Sequence, residues 1–480
     1  MSRVRETAVR RLIIAAVVLG SFMGATDSSI VIISLTSISR HFDAGTSEAS
    51  WVLITYLLAM TGFLIPFGRL GDVAGKRNLF VAGFALFTAS SFFCGAAASL
   101  AELVLFRALQ GIGGAMITAT GPAILSVSLP EQVRGRALGY LSAANALGLA
   151  AGFGLGGIIN HYLSWQWIFY INVPVGICAV AIAFLVIPPD PGRRMVRGEF
   201  DVAGALLVLL AAGLFIYALS FGEELGWASL PVLAALALSL LFSGIFVAWE
   251  RQMPEPLLRF SLLHNRGISL GIGAAMLNRL ALSGMTYLIP MYLELVKGYS
   301  TGFTGLLLLA PSLLILVTGP VSGHLSDRIG SSLLCTLAGV FLFFSVFVFV
   351  VFDSTIALAV ILLALAFRGI SMGLFAPPNL RLILVSTPED QRGAASSFWY
   401  FSRYLASTIG IVVFEAIFDL WIRGDGHGGV TGAIHLVHPV AELETGFDHA
   451  FLIGLLFIIG MIVLTVLLKE GDEAGLYSGR

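Results

Sequence analysis

The chain is 480 residues long, 58% hydrophobic, only 11% charged, and carries a formal net charge of -1. Soluble domains carry about 25% charged residues, so a water-soluble fold is excluded. Cys94, Cys178 and Cys335 lack paired or ligand spacing, which excludes a disulfide framework and a cysteine metal centre.

Apolar runs near the roughly 20 residues that a bilayer requires follow one another along the chain. They lie at 12 to 35, 50 to 68, 79 to 99, 101 to 123, 138 to 159, 168 to 187 and 202 to 221. They continue at 229 to 249, 268 to 293, 303 to 325, 333 to 352, 355 to 378, 397 to 420 and 450 to 468. Their length and Leu/Ala content suit helices that satisfy their own backbone groups, not barrel strands. The predicted fold class is an all-α membrane protein of fourteen transmembrane helices. The first run exceeds a signal-peptide core and contains Asp27, so it reads as a retained helix. An even count puts both termini on one side. Twenty Lys or Arg fall in segments on that side, and only Arg40, Lys297 and Arg423 on the other. By the positive-inside rule both termini are cytoplasmic, which predicts a multi-pass protein of the inner (plasma) membrane. Topology accounts for the basic loops, and no nucleic-acid motif competes. The longest outer loop, 421 to 449, holds His427, His435 and His438 at intervals that match no strong metal pattern, so no metal site is expected.

Two polar loops are written twice. Ser-x-Pro-Glu-x-x-Arg-Gly-x-Ala at Ser128 to Ala137 recurs at Ser386 to Ala395, 258 positions on. Gly68-x-Leu70-x-Asp72-x-x-Gly75 recurs as Gly323-x-Leu325-x-Asp327-x-x-Gly330, offset by 255. The chain is therefore read as a six-helix half at 1–187, an inserted two-helix segment with connectors at 188–265, and a second six-helix half at 266–480 with the outer loop and a cytoplasmic tail. Membrane proteins built from two repeats are usually transporters with a site between them. Gly148, Gly152 and Gly156, four residues apart in the fifth run, form a flat face for close helix packing. Gly152, Gly154 and Gly157 mimic a dinucleotide fingerprint, and Gly298 to Gly302 mimics a nucleophile elbow, but neither follows a strand. No phosphate loop is present. Neither a cofactor nor an enzyme activity is expected.

The Gly68 to Arg77 loop resembles the signature between helices 2 and 3 of the major facilitator superfamily. Arg107-x-x-Gln110-Gly111-x-Gly113-Gly114 resembles that superfamily's helix-4 motif. Trp51 with Tyr56, Trp167-Ile168-Phe169 before Asn172-Val173-Pro174, and Pro290-x-Tyr292-Leu293 are similar to its fourteen-helix drug:proton antiporter branch. Two places depart from that branch: Ile32 and Thr36 replace an Asn and a Pro after the helix-1 Asp, and Phe153 replaces the Pro of a Gly-Pro. These are positions that the branch associates with coupling direction and leak prevention. The resemblance implies a major facilitator fold and proton-coupled efflux of drugs or metabolites by alternating access. Its partners would be a small-molecule substrate, protons and the lipid bilayer, with the monomer as the working unit. A dedicated carrier of an organic anion or lipid-like metabolite, and a non-transporting sensor or scaffold, stay open beside it.

The cytoplasmic signature also has a reading from its charges. Asp72 with Arg69, Lys76 and Arg77 in a tight turn can bond a neighbouring helix end, and Gly68 and Gly75 permit the approach. Gly323, Asp327, Arg328 and Gly330 repeat the arrangement. Such contacts would hold one face closed and break on opening; topological anchoring is the alternative.

Charges inside the runs are the remaining signal, since each costs about 2.5–3.5 kcal/mol at a membrane centre. Asp27, Arg107, Arg279 and Arg368 fall on the first and fourth helices of each half, which in the superfamily line the cavity. At 1.5 Å per residue Asp27 is about 22 Å beyond the start of its run, and Arg107 about 9 Å from the opposite face, so their depths coincide. They are expected to pair, either as a proton-coupling device or as a static structural pair. Arg279 and Arg368 fall near the midplane. With Asn278, Tyr56 and Tyr287 they are candidates for the substrate cavity. One aspartate against three arginines favours an anionic or zwitterionic amphiphile, unless Glu294 or Glu415 neutralises an arginine. Arg403 and Glu415 lie near the ends of their run, where snorkelling competes with a cavity role. The repeat offset also aligns Asp27 with Arg279 and Arg107 with Arg368, within about a helical turn.

Overall fold

The computed structural model describes residues 3–129, 131–188, 201–253, 260–351, 356–387, 392–422 and 440–468. Outside them lie the connector at 189–200, His427, His435 and His438, and parts of both copies of the ten-residue repeat. Among the described residues every regular element is helical. The first stretch gives α1 (Arg3–Phe42), α2 (Thr46–Ala74), α3 (Lys76–Ala96), α4 (Leu100–Ser128) and α5 (Glu131–Tyr162). A short α6 (Trp167–Tyr170) leads into α7 (Asn172–Val186), followed by α8 (Val202–Leu225) and α9 (Leu230–Glu250). After a 3-10 turn come α10 (Arg266–Leu295), α11 (Thr301–Ile329), α12 (Ser331–Val351), α13 (Leu358–Val385), α14 (Arg392–Ile422) and α15 (Val440–Leu467).

Twelve described segments are long and apolar enough to cross a membrane, while Glu48–Leu64 in α2 and Leu206–Gly222 in α8 are shorter apolar stretches. The sequence count was fourteen runs; the structure gives twelve full spans and these two. Exposure supports a lipid environment: Leu185, Leu230 and Leu240 are 80%, 81% and 74% exposed, a surface that water would penalise. Hydroxyls inside the helices bond back to the preceding turn, as Ser91 does to the Phe87 carbonyl at 2.8 Å. Caps define several starts. Ser99 accepts from the Glu102 amide at 3.2 Å while the Glu102 carboxylate accepts from the Ala98 amide at 2.9 Å.

The chain divides into two compact units, with the division at Gly213 and Leu214 inside α8. In the first unit α1 packs on α5, α4 and α7, and α3 packs on α4 and α7. In the second, α10 packs on α14 and α15, and α12 on α13 and α15. The same pairing scheme is thus used twice. Single glycines join α2 to α3 and α11 to α12: Gly75 has φ 96° and Gly330 φ 88°. A side chain at either would be strained, which is why the repeated loop ends in glycine.

Candidate functional site

The most concentrated polar feature of the first unit lies where α1, α3, α4 and α7 meet. Arg107 Nη1 and Asp27 Oδ2 form a salt bridge of 2.7 Å between two side chains with 0% exposure. Such a pair is favoured when its remaining polar atoms find partners, and all but the buried Arg107 Nη2 do. Arg107 Nε donates to the Val52 carbonyl at 2.9 Å, and Nη1 also donates to Gln110 Oε1 at 2.6 Å. The guanidinium stands 4.2 Å from the centre of the Tyr56 ring, a cation–π contact on its flat face. Gln110 Nε2 donates to Asp27 Oδ1 at 2.8 Å and to Ser91 Oγ at 2.8 Å. Asn172 Nδ2 adds a bond to Asp27 Oδ1 at 2.9 Å. The ionised carboxylate therefore accepts from one guanidinium and two amides.

Local sequence explains the assembly. Arg107 and Gln110 are three residues apart on α4 and so share a face. One turn on, a Cβ at Gly111 would collide with the Tyr56 carbonyl, and one at Gly113 would stand 2.7 Å from the Phe87 amide. The glycines of this motif let α2 and α3 approach α4 closely enough to hand Tyr56, Val52 and Ser91 to its two polar residues. On the other side, α5 presents Gly148, Gly152 and Gly156 to α1: a Cβ at Gly148 would stand 2.5 Å from the Phe22 carbonyl, and one at Gly152 2.5 Å from the Thr26 carbonyl. The segment of α1 that carries Asp27 is seated on this glycine face.

In the second unit the candidate cavity residues part company. Asn278 turns to α15, its amide 3.5 Å from the Met461 sulfur. Tyr287 donates to Glu415 Oε1 at 3.3 Å. Arg368 on α13 donates to the Leu282 carbonyl at 3.3 Å and to the Thr286 hydroxyl on α10. Arg279, half-buried on α10, acts electrostatically on both Arg368 and Arg403. The Arg403 guanidinium lies 4.3 Å from the centre of the Trp399 ring, one turn back along α14. Tyr56 belongs to the first unit and packs on Arg107.

Packing also corrects the internal alignment. Gly152 sits against Thr26 and Ser29, and Gly410 sits in the same way against Leu280 and Ser283, so α1 and α10 correspond at an offset of 254. Gly111 sits against Tyr56 and Ala59, and Gly369 against Pro311 and Leu314, so α4 and α13 correspond at 258. The counterpart of Arg279 is therefore Ala25, and that of Arg368 is Gln110. A slip of two or three residues is enough to move a side chain to another face of a helix.

At the repeated loop, Gly68, Arg69 and Asp72 lie on the last turns of α2, and Lys76 and Arg77 on the first turn of α3. Arg77 donates to the Phe184 carbonyl near the end of α7 and packs 4.8 Å from the centre of the Phe184 ring. This is the favourable placement of a cation at a helix C-terminus. In the second copy Gly323 and Asp327 lie in the last turns of α11, and Arg328 is exposed. A Cβ at Gly68 or Gly323 would meet nothing within 4 Å. Sequence reasoning missed Asn172, Ser91 and the stacking of Arg403 on Trp399.

Residues 17–411 match the model of the Major Facilitator Superfamily. The chain is 31% identical over 412 residues to the multidrug resistance protein Stp of Mycobacterium tuberculosis, covering 86% of this chain and 76% of that protein. It is 29% identical over 408 residues to the riboflavin transporter RibZ of Clostridioides difficile, covering 85% and 88%. A bacterial homologue of the human lysosomal transporter Spinster, crystallised inward-facing and unoccupied, shares the fold with a TM-score of 0.67 at 14% identity, over 100% of this chain and 99% of that one. The chain belongs to the Major Facilitator Superfamily and is a multi-pass membrane transporter, not an enzyme.

Proposed function

We propose that the protein is a proton-coupled exporter of amphipathic drugs or metabolites that works by alternating access, with Asp27 as the proton-binding group and Arg107 as its partner. The observation that carries this reading is the fully buried Asp27–Arg107 pair, held by Gln110 and Asn172. Ionised Asp27 uses both oxygens as acceptors from three donors. A proton added to either oxygen turns an acceptor into a donor, and the amide or guanidinium facing it must move. That couples one proton to the relative positions of α1, α4 and α7. The names of relatives such as Stp support efflux of varied compounds. In this reading fourteen helices span the inner membrane, both termini are cytoplasmic, 188–265 is an insertion between two six-helix repeats, and the monomer is the working unit. The loop around Arg77 and Asp72, repeated at Arg328 and Asp327, acts as a latch that releases on opening.

The test is flux in proteoliposomes with an imposed pH gradient, using ethidium and fluorescein as cationic and anionic reporters. Native protein is expected to accumulate a reporter against its gradient. Asp27→Asn is expected to lose gradient-driven accumulation and keep substrate exchange. Unchanged gradient-driven accumulation in Asp27→Asn would remove Asp27 from coupling.

A further inference from the structure

Arg107 in the first unit is neutralised by Asp27, whereas three arginines of the second unit lie apart from carboxylates among the described residues. Among the described residues no carboxylate forms an ion pair with Arg279, Arg368 or Arg403. Glu415 on α14 accepts from the Tyr287 hydroxyl. Arg368 Nε and Arg403 Nη1 are buried without an acceptor. Arg279 bears electrostatically on both of the other guanidiniums, and Tyr404 bears on Arg279. The three cations come from three helices, α10, α13 and α14, and Arg279 is within electrostatic reach of the other two. Their proximity also has a basis in packing. Arg368 bonds Leu282 and Thr286, which share a face of α10 with Arg279, and Gly410 seats α14 on Leu280 and Ser283 of the same stretch.

We infer that Arg279, Arg368 and Arg403 form a binding site for the anionic group of an aromatic or otherwise flat amphiphile. The inference deepens the export reading above and rests on it for the claim that the bound anion is cargo. One buried and two half-buried like charges repel one another, and an anion with two or more acceptor oxygens satisfies the vacant N–H groups as a guanidinium fork prefers. The Trp399 ring, already stacked on Arg403, and the half-buried Tyr404 offer flat surface beside the charges. At the corresponding positions the first unit holds Ala25 and Gln110, so these cations are particular to the second.

The experiment is fluorescence anisotropy of fluorescein and of ethidium with the purified full-length protein in nanodiscs of zwitterionic lipid. Native protein is expected to bind fluorescein. Arg279→Gln and Arg403→Gln should each weaken that binding by about tenfold or more, because a desolvated charge partner is lost. Arg279→Lys, which keeps the charge, should recover most of it, and this recovery separates the charge from any effect on folding. Fluorescein binding that is equally tight in native protein, Arg279→Gln and Arg403→Gln overturns the inference. So does native protein that binds ethidium and not fluorescein. Adding phosphatidylglycerol identifies the source of the anion: competitive displacement assigns the site to a lipid headgroup, and persistence of fluorescein assigns it to a soluble anion. The two readings fail separately. Gradient-driven export of ethidium without arginine-dependent fluorescein binding leaves the exporter and removes the anion site. Arginine-dependent binding with no gradient-driven transport of either dye does the reverse.

Discussion

Asp27 is an acceptor surrounded by donors, and its energetics follow from that count. Removing its charge alone leaves Arg107 as a buried cation with one acceptor fewer, which costs about 3–5 kcal/mol for a pair of this kind. Removing both charges leaves amides that can still bond Gln110 and Asn172. The expected outcome is non-additive: Asp27→Asn lowers thermal stability in detergent markedly, whereas Asp27→Asn combined with Arg107→Gln is more stable than Asp27→Asn alone. Thermal unfolding of Asp27→Asn, Arg107→Gln and the double variant checks it, and simple addition of the two single effects would mean that the bridge contributes nothing. The pair itself was legible in the sequence, because an intramembrane charge is conspicuous and helix rise gives its depth. Asn172 was not. A neutral amide two residues before a proline looks like a helix start, and only the packing of α7 against α1 brings it to the carboxylate. Arg403 was illegible for a different reason: distance along its helix gives a depth, but not that its guanidinium lies against the Trp399 ring.

The contact of α1 with α5 is set by what α5 lacks. At Gly152 a Cβ would enter the Ser29 hydroxyl and stand 2.5 Å from the Thr26 carbonyl, so the backbone of α1 would have to move. Overpacking of this sort typically costs about 1–3 kcal/mol. Asp27 follows Thr26 directly, so the displacement should reach the carboxylate network as well as the interface. Gly152→Ala is therefore expected to lower the unfolding midpoint and to reduce gradient-driven flux together. Gly24→Ala is the matched control on α1, because a Cβ there meets nothing within 4 Å. It should be neutral or slightly stabilising, since alanine favours a helix by up to about 1 kcal/mol over glycine. Loss of flux in Gly24→Ala equal to that in Gly152→Ala would show general sensitivity of α1, not a contact at the glycine face. The glycine periodicity was visible in the sequence; the partner helix was not, since spacing names a face but not what covers it.

Duplication governs the whole chain, and the two copies have kept their packing while diverging in charge. Gly111 with Tyr56 and Gly369 with Pro311 are the same contact in each unit, as are Gly152 with Ser29 and Gly410 with Ser283. Loop offsets alone misaligned the charged residues by two or three positions, because α1 with α10 and α4 with α13 have slipped by different amounts. With the register corrected, Arg368 replaces the residue that is Gln110 in the first copy. Gln110 is a bonded neutral amide, while Arg368 is a buried cation without a carboxylate among the described residues. A buried charge kept without a partner is a stability cost retained for function. Arg368→Gln restores the group of the first copy and can still donate to the Leu282 carbonyl or the Thr286 hydroxyl. Replacing buried charge by neutral groups of similar size is neutral to stabilising by about 1–4 kcal/mol. The unfolding midpoint of Arg368→Gln is therefore expected to equal or exceed that of the native protein, while fluorescein binding falls. A drop in midpoint as large as that of Asp27→Asn would mean that Arg368 is already neutralised in the folded protein, and would refute the charge asymmetry between the two units.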